Sequence, residues 1–204
     1  MQPDFMPGGP LPVDAPDISD IIAPIHALMV SDVIPQQVLT QDWHPPGHVS
    51  FASTYPGRRP FDRIDLYGHE QTLWPDHCVQ GSRGAAIAAG IDLGRVRAIL
   101  RKGDDPLCDS YSAFLNNWNA AGERPPTGLA GYLRERGIDT VYCCGLARDY
   151  CVKWSAEDAV AKGFLVRVIW DLTWPVDRGS DAAVLADLER AGVEVIEADQ
   201  LVRP

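Results

Sequence analysis

No run of about 18 consecutive apolar residues, the length a helix needs to cross a bilayer, occurs in the chain. Its first residues, MQPDFMPGGP, also lack the basic stretch and apolar core of an export signal. These absences argue against a helical membrane span and lead us to expect a soluble, cytoplasmic protein. Positive charge is scarce too: 18 Lys and Arg stand against 28 Asp and Glu, for a formal net charge of −10. Such a surface repels phosphate backbones and anionic lipid, so neither nucleic acid nor a membrane surface is expected as a partner, and a small-molecule substrate fits better. The five cysteines (Cys78, Cys108, Cys143, Cys144, Cys151) are odd in number and include no Cys-x-x-Cys pair. That does not suit a secreted disulfide framework, and it leaves a mixed Cys/His zinc site at His77–Cys78 without support. Internal repeats and low-complexity tracts are absent as well.

What is present suits a globular protein. With 204 residues, 46% of them apolar, the chain can bury one substantial core, so residues 1–204 are read as a single domain. Ile18, Ile21, Ile22, Ile25, Leu28 and Met29 recur at helical spacing behind Asp17, a suitable cap. Short apolar runs at Gln37–Thr40, Arg97–Leu100, Thr140–Cys144, Leu165–Trp170 and Val193–Ile196 read as buried strands. Among the later ones lie helical segments, Gly128–Arg136, Asp149–Lys162 and Ser180–Ala191, each closed by Gly137, Gly163 or Gly192. The alternation implies an α/β fold, a doubly wound parallel sheet with helices on both faces. Pro45–Pro75 reads as one long loop, of the kind that shapes a site. Gln2–Phe5 reads as the exit of a buried strand of which only Met1 is present, so the first, central strand of the sheet is expected to be truncated.

Several residues can carry chemistry. Asp42 and His44 stand two apart, so in extended chain both project from one face and can grip one ion. His48 follows shortly, and His77 comes from the far end of the loop. Such N/O ligands suit Zn²⁺, Fe²⁺ or Mn²⁺, although an Asp-x-His pair alone equally suits polar loop residues bonded to backbone. Cys151 falls where a strand ends and a helix begins, where the positive helix end lowers a thiol pKa; a small buried hydrophobe is the plainer alternative. Cys143 and Cys144, facing opposite sides of a strand, are read as core. Lys102, at a strand C-terminus, either faces the site and steadies a thiolate or is a solvated charge. Phe5 and Trp74 form an aromatic slot for a flat ring or belong to the core.

Taken in order, Gln-x-Asp-Phe at Gln2–Phe5, Asp-Trp-His-Pro at Asp42–Pro45, Trp-Pro-x-His-Cys at Trp74–Cys78, Arg-Lys-Gly at Arg101–Gly103, Asp-Ser-Tyr-Ser-Ala-Phe at Asp109–Phe114 and Gly-Leu-Ala-x-Asp-Tyr-Cys-Val at Gly145–Val152 resemble the nicotinamidases and pyrazinamidases of the isochorismatase-like cysteine hydrolases. The resemblance implies a Rossmann-like three-layer sandwich and metal-dependent hydrolysis of nicotinamide to nicotinate and ammonia, with pyrazinamide as a second substrate. It implies Cys151 as nucleophile through a thioester, Lys102 beside it, and backbone N–H groups of Ala147 and Cys151 for the oxyanion. The Leu146–Ala147 peptide is expected to be cis. Phe5, Trp74, Leu146 and Tyr111 would bind the substrate. Asp42, His44 and His77, with His48 as a fourth, would hold one divalent ion, zinc foremost. The family's catalytic aspartate stands two residues ahead of the position of Gln2, where this chain has no residue, and Arg148 replaces a frequent threonine, which would adjust the mouth of the site. Asp4 matches a different, structural aspartate. The readings left beside this one are another amide hydrolase of the superfamily and a non-catalytic binding homologue. A homo-oligomer is left open.

Overall fold

The computed structural model describes residues 1–15, 17 and 19–201; Ile18, one of the apolar positions of the first expected helix, lies outside them. Among the described residues seven strands form: β1 (Gln37–Asp42), β2 (Arg63–Leu66), β3 (His69–Thr72), β4 (Val96–Lys102), β5 (Thr140–Leu146), β6 (Leu165–Trp174) and β7 (Glu194–Ile196). The helices are α1 (Ser19–Val30), α2 (Leu129–Arg134), α3 (Lys153–Ala161) and α4 (Asp181–Ala191). Each apolar run read as a strand is one, and β6 continues past Trp170 to Trp174.

The layers follow from alternation along the strands. Val166 and Val168 of β6 pack with Ala156 and Ala159 of α3 and Leu188 of α4, while Ile169 and Leu172 meet Ile21, Ile25 and Met29 of α1 on the other face. Burying each of these larger aliphatic side chains is worth about 1.5–3 kcal/mol. Where α4 stops, Gly192 takes φ 82°, and the N–H groups of Gly192 and Val193 bond to Glu189 and Leu188 carbonyls. That left-handed closure is one a side chain would strain.

The segment expected as a single loop, 45–75, contains an antiparallel hairpin instead, β2 against β3, with Leu66 opposite His69. Its two connecting residues, Tyr67 and Gly68, both have positive φ (57° and 84°), as a tight hairpin turn requires. Strands of the composition Arg-Ile-Asp-Leu and His-Glu-Gln-Thr are too polar to show in a hydrophobic pattern.

The parallel sheet is in two pieces among the described residues. β1 pairs with β4, and β5–β6–β7 form the other piece, all parallel. The facing edges of β1 and β5 border a slot of about 370 Å3, closed on one side by Ile25 and Met29 of α1 and on the other by Leu129 and Leu133 of α2. No strand among the described residues lies between them, so the parallel α/β sheet flanked by helices that the sequence implied is present as two ladders. Cys144 is exposed and lines this slot, whereas the sequence suggested core.

Candidate active site

The site assembles at the C-terminal ends of β1, β4 and β5. In register, Asp42 lies opposite Lys102, and Trp43 N–H donates to the Lys102 carbonyl, so both side chains leave the sheet together. The side-chain amide of Gln2 clamps Asp42 from the other side: its Oε1 accepts from Asp42 N–H and its Nε2 donates to Asp42 O, each at 2.8 Å. A side chain thus supplies what a neighbouring strand would. Asp4 has the structural part expected of it, for its carboxylate accepts from Cys78 N–H at 2.7 Å, next to His77.

Asp42, His44 and His77 bring one ligand atom each to within 4.8 Å of one another, all buried. In both imidazoles Nδ1 faces a backbone carbonyl at 2.8 Å, Gly103 O for His44 and Pro75 O for His77. A neutral ring that donates from Nδ1 keeps the Nε2 lone pair, which is what a metal ligand needs. Burial keeps both rings neutral: it lowers the pKa of His44 and, with His44 as neighbour, takes His77 down to about 4. For Asp42 burial works toward a higher pKa, but the charge of Lys102, with lesser help from His44 and His77 once these take up protons in acid, outweighs it and holds the carboxyl below its ordinary range. Carboxylate plus two such rings fit a divalent ion. His48 groups instead with His44 and Asp109. Its Nδ1 lies 2.7 Å from Ser50 Oγ, and its Nε2 is buried without a partner among the described residues. Gly103 is required beside this set: at φ 62° a Cβ there would lie 2.4 Å from His44 Cε1.

Lys102 connects the metal group to the thiol. Its Nζ lies 2.7 Å from Asp42 Oδ1, 3.2 Å from Cys151 Sγ and 2.9 Å from Ser110 O. Burial opposes the ammonium, yet Asp42 and Cys151 raise its pKa above the ordinary lysine value, so it stays charged. Cys151 is not in the first turn of an α-helix. It belongs to a π-helical turn, Arg148–Val152, that precedes α3, with Val152 N–H reaching back to Ala147 O at 3.0 Å. Such turns recur at functional sites because they re-aim one side chain. The thiol pKa rises to about 11 instead of falling: burial dominates, Lys102 pulls against it, and Asp42 adds to it. The Ala147 backbone N–H also favours the thiolate through a hydrogen bond, and the Leu146–Ala147 peptide is cis.

The cavity over Cys151 is lined by Phe5, Trp74 and Tyr111, and also by Leu11, Tyr150 and Val176, which sequence reasoning did not single out. Leu146 does not line it; that side chain borders the slot between β1 and β5. Trp74 stands edge-on to Tyr150 (4.7 Å, 87°) and donates from Nε1 to Tyr111 Oη at 3.2 Å. Arg148 points away from the mouth. Its guanidinium bonds Thr173 and Asp181 and lies 3.8 Å from the ring centre of Trp170, which ties the π turn to β6 and α4.

A thiol, a buried lysine and two imidazoles with a carboxylate thus meet at the strand ends of a parallel α/β sheet, and the family model for the isochorismatase domain matches residues 54–200. The chain belongs to the isochorismatase family. Within it, the chain is 44% identical over 204 residues to the nicotinamidase of Acinetobacter baylyi, covering 99% of this chain and 91% of that one. A solved nicotinamidase/pyrazinamidase of Acinetobacter baumanii superposes with a TM-score of 0.89 at 42% identity, over 98% of this chain and 94% of that one. The pyrazinamidase of Pyrococcus horikoshii, solved in complex with zinc, does so at 0.75 and 31%, over 97% and 94%. The resemblance carried by the six motifs is thereby borne out.

Proposed function

We propose that the chain, acting as one domain over residues 1–204, is a cytoplasmic nicotinamidase that hydrolyses nicotinamide to nicotinate and ammonia, with pyrazinamide as a second substrate. The observation that carries this reading is the 3.2 Å contact from Lys102 Nζ to Cys151 Sγ beside the Asp42, His44 and His77 set. Cys151 Sγ attacks the carboxamide carbon, its proton leaves with ammonia, and water then cleaves the thioester to release the acid and restore the thiol. Lys102 is placed to compensate the thiolate charge. The backbone N–H groups of Ala147 and Cys151 are the donors for the oxyanion. Phe5, Trp74 and Tyr111 flank the ring. Asp42, His44 and His77 would hold one divalent ion, zinc by the donor set, with His48 as a further ligand. When bound, the ion supplies a Lewis acid for the ring nitrogen and for water.

Moving a proton from thiol to ammonia calls for a general acid-base group, a role worth about 10²–10⁴-fold in rate. The resemblance assigns it to an aspartate two positions ahead of Gln2. A second reading, a binding homologue without turnover, is favoured by one fact: Asp42, the carboxylate that pairs with Lys102, is also a member of the metal group.

The test is ammonia release from nicotinamide with added Zn²⁺, Fe²⁺ or Mn²⁺, by this chain and by a form extended to the preceding in-frame start codon. Activity in the extended form alone supports the amidase reading and the aspartate. Activity in both misplaces the proton relay, and binding without turnover in either favours the binding homologue.

A further inference from the structure

The hairpin and the ring pocket meet at one residue that the proposed chemistry does not use. Gln71, on β3, is 4% exposed, and its Nε2 lies 2.8 Å from Asp109 Oδ2, 3.0 Å from Tyr111 Oη and 2.8 Å from Thr72 O. Its Oε1 accepts from Asn117 Nδ2 at 3.5 Å, and Asn117 Oδ1 accepts in turn from Tyr111 N–H at 3.2 Å. The circuit from Gln71 to Asn117 to Tyr111 and back is closed. It also fixes which way the amide faces, because a flipped Gln71 would set oxygen against oxygen at both Asp109 Oδ2 and Thr72 O, neither of which can donate.

Tyr111 Oη therefore receives two N–H donors, from Gln71 and from Trp74. Both rings line the cavity over Cys151, so the position of two of its walls depends on a residue of the hairpin. Asp109, held by the same amide, offers its carboxylate within 4.8 Å of the His44 and His48 ring nitrogens.

We propose that Gln71 is a positioning residue for substrate binding: its amide holds Tyr111, and through it Trp74, at the spacing a flat aromatic amide requires. This rests on the amidase reading above. The residue acts through Tyr111 and touches none of the reacting atoms. Its loss should therefore weaken binding while leaving bond-breaking at Cys151 largely as it is.

Steady-state kinetics of Gln71→Leu with nicotinamide should show KM raised tenfold or more, kcat within threefold, and metal content per chain unchanged. A calorimetric Kd for nicotinate should weaken by a similar factor, so the arm that reads binding does not depend on turnover. Tyr111→Phe removes only the oxygen and should raise KM likewise, and the double variant should be no worse than the poorer single one. If Gln71→Leu fails to fold, Gln71→Asn, which keeps the amide but shortens its reach to Tyr111, decides: a raised KM with kcat within threefold supports the proposal, and an unchanged KM overturns it. Unchanged KM and Kd in a folded Gln71→Leu, or additive effects in the double variant, would also overturn it. A wild-type chain that neither binds nor hydrolyses these compounds would sink the amidase reading and this proposal with it, whereas a failure confined to the variants would leave that reading standing.

Discussion

Lys102 Nζ donates to Cys151 Sγ across 3.2 Å while its other side is held by Asp42, so one ammonium touches both the thiol and the group of side chains that could hold an ion. The contact opposes the loss of acidity that burial imposes on the thiol. Burial alone would leave Cys151 a poor nucleophile, and Lys102 is the largest influence in the opposite direction. Lys102→Met should therefore move the thiol pKa further above about 11 and slow alkylation by iodoacetamide at pH 8. Each rise of one in the thiol pKa cuts the thiolate fraction about tenfold, so a slowing of roughly that size or more is expected. It should also leave Asp42 buried and uncompensated, a loss of about 3–5 kcal/mol measurable by denaturant unfolding.

Cys151→Ala removes a half-buried sulfur from the π turn that leads into α3, and leaves the hydrogen bond from Ser155 Oγ to the backbone Cys151 O in place. Ammonia release should be abolished, with the unfolding midpoint within about 1 kcal/mol of the parent, since surface and partly buried truncations cost little. Ammonia release at the parental rate would rule out the nucleophile assignment.

The pH dependence of the metal-free protein should show His77. Its pKa, about 4 when folded, is depressed from the ordinary 6.5 by burial. A depressed imidazole binds its proton sooner in the unfolded chain, so stability is full above about pH 6.5 and falls as pH drops toward 4. The loss should be a few kcal/mol at most, since stability changes by about 1.4 kcal/mol for each pH step across that window. Urea midpoints in the presence of a chelator, for the parent and for His77→Gln, check this: the slope in that window should flatten in the variant.

Gly103→Ala places a Cβ about where the His44 ring is, at a backbone angle only glycine tolerates well. His44 must move, so the bound metal per chain should fall well below one, and thermal stability should drop by about 1–3 kcal/mol through backbone strain. Atomic absorption after dialysis, beside a melting curve, reads both.

The strands and helices that form the layers were legible because each carries a pattern of period two or three to four. Asp42, His44, His77, Lys102 and Cys151 could be singled out because chemically distinctive residues fall at strand ends. Three features were hidden. The hairpin at 63–72 has polar strands, so its only local signal is Gly68. The π turn differs from an α-helical turn by one residue of register, which spacing cannot resolve, and it moves Cys151 off the helix end that was expected to acidify it. Gln2 and Gln71 act through side-chain amides on partners 40 positions away, Asp42 and Tyr111, and glutamine has no sequence signature for such a role.

Because Asp42 belongs both to the group that could hold an ion and to the ion pair with Lys102, a cation bound there would link the two ends of the site thermodynamically. A cation that draws on the Asp42 carboxylate loosens its hold on Lys102 and leaves more of that ammonium's field to the sulfur. Reciprocity then requires that whatever changes the charge on the sulfur change the cation's affinity by the same factor. A thiol adduct should therefore be readable as a shift in metal binding, and a metal swap as a shift in thiol titration.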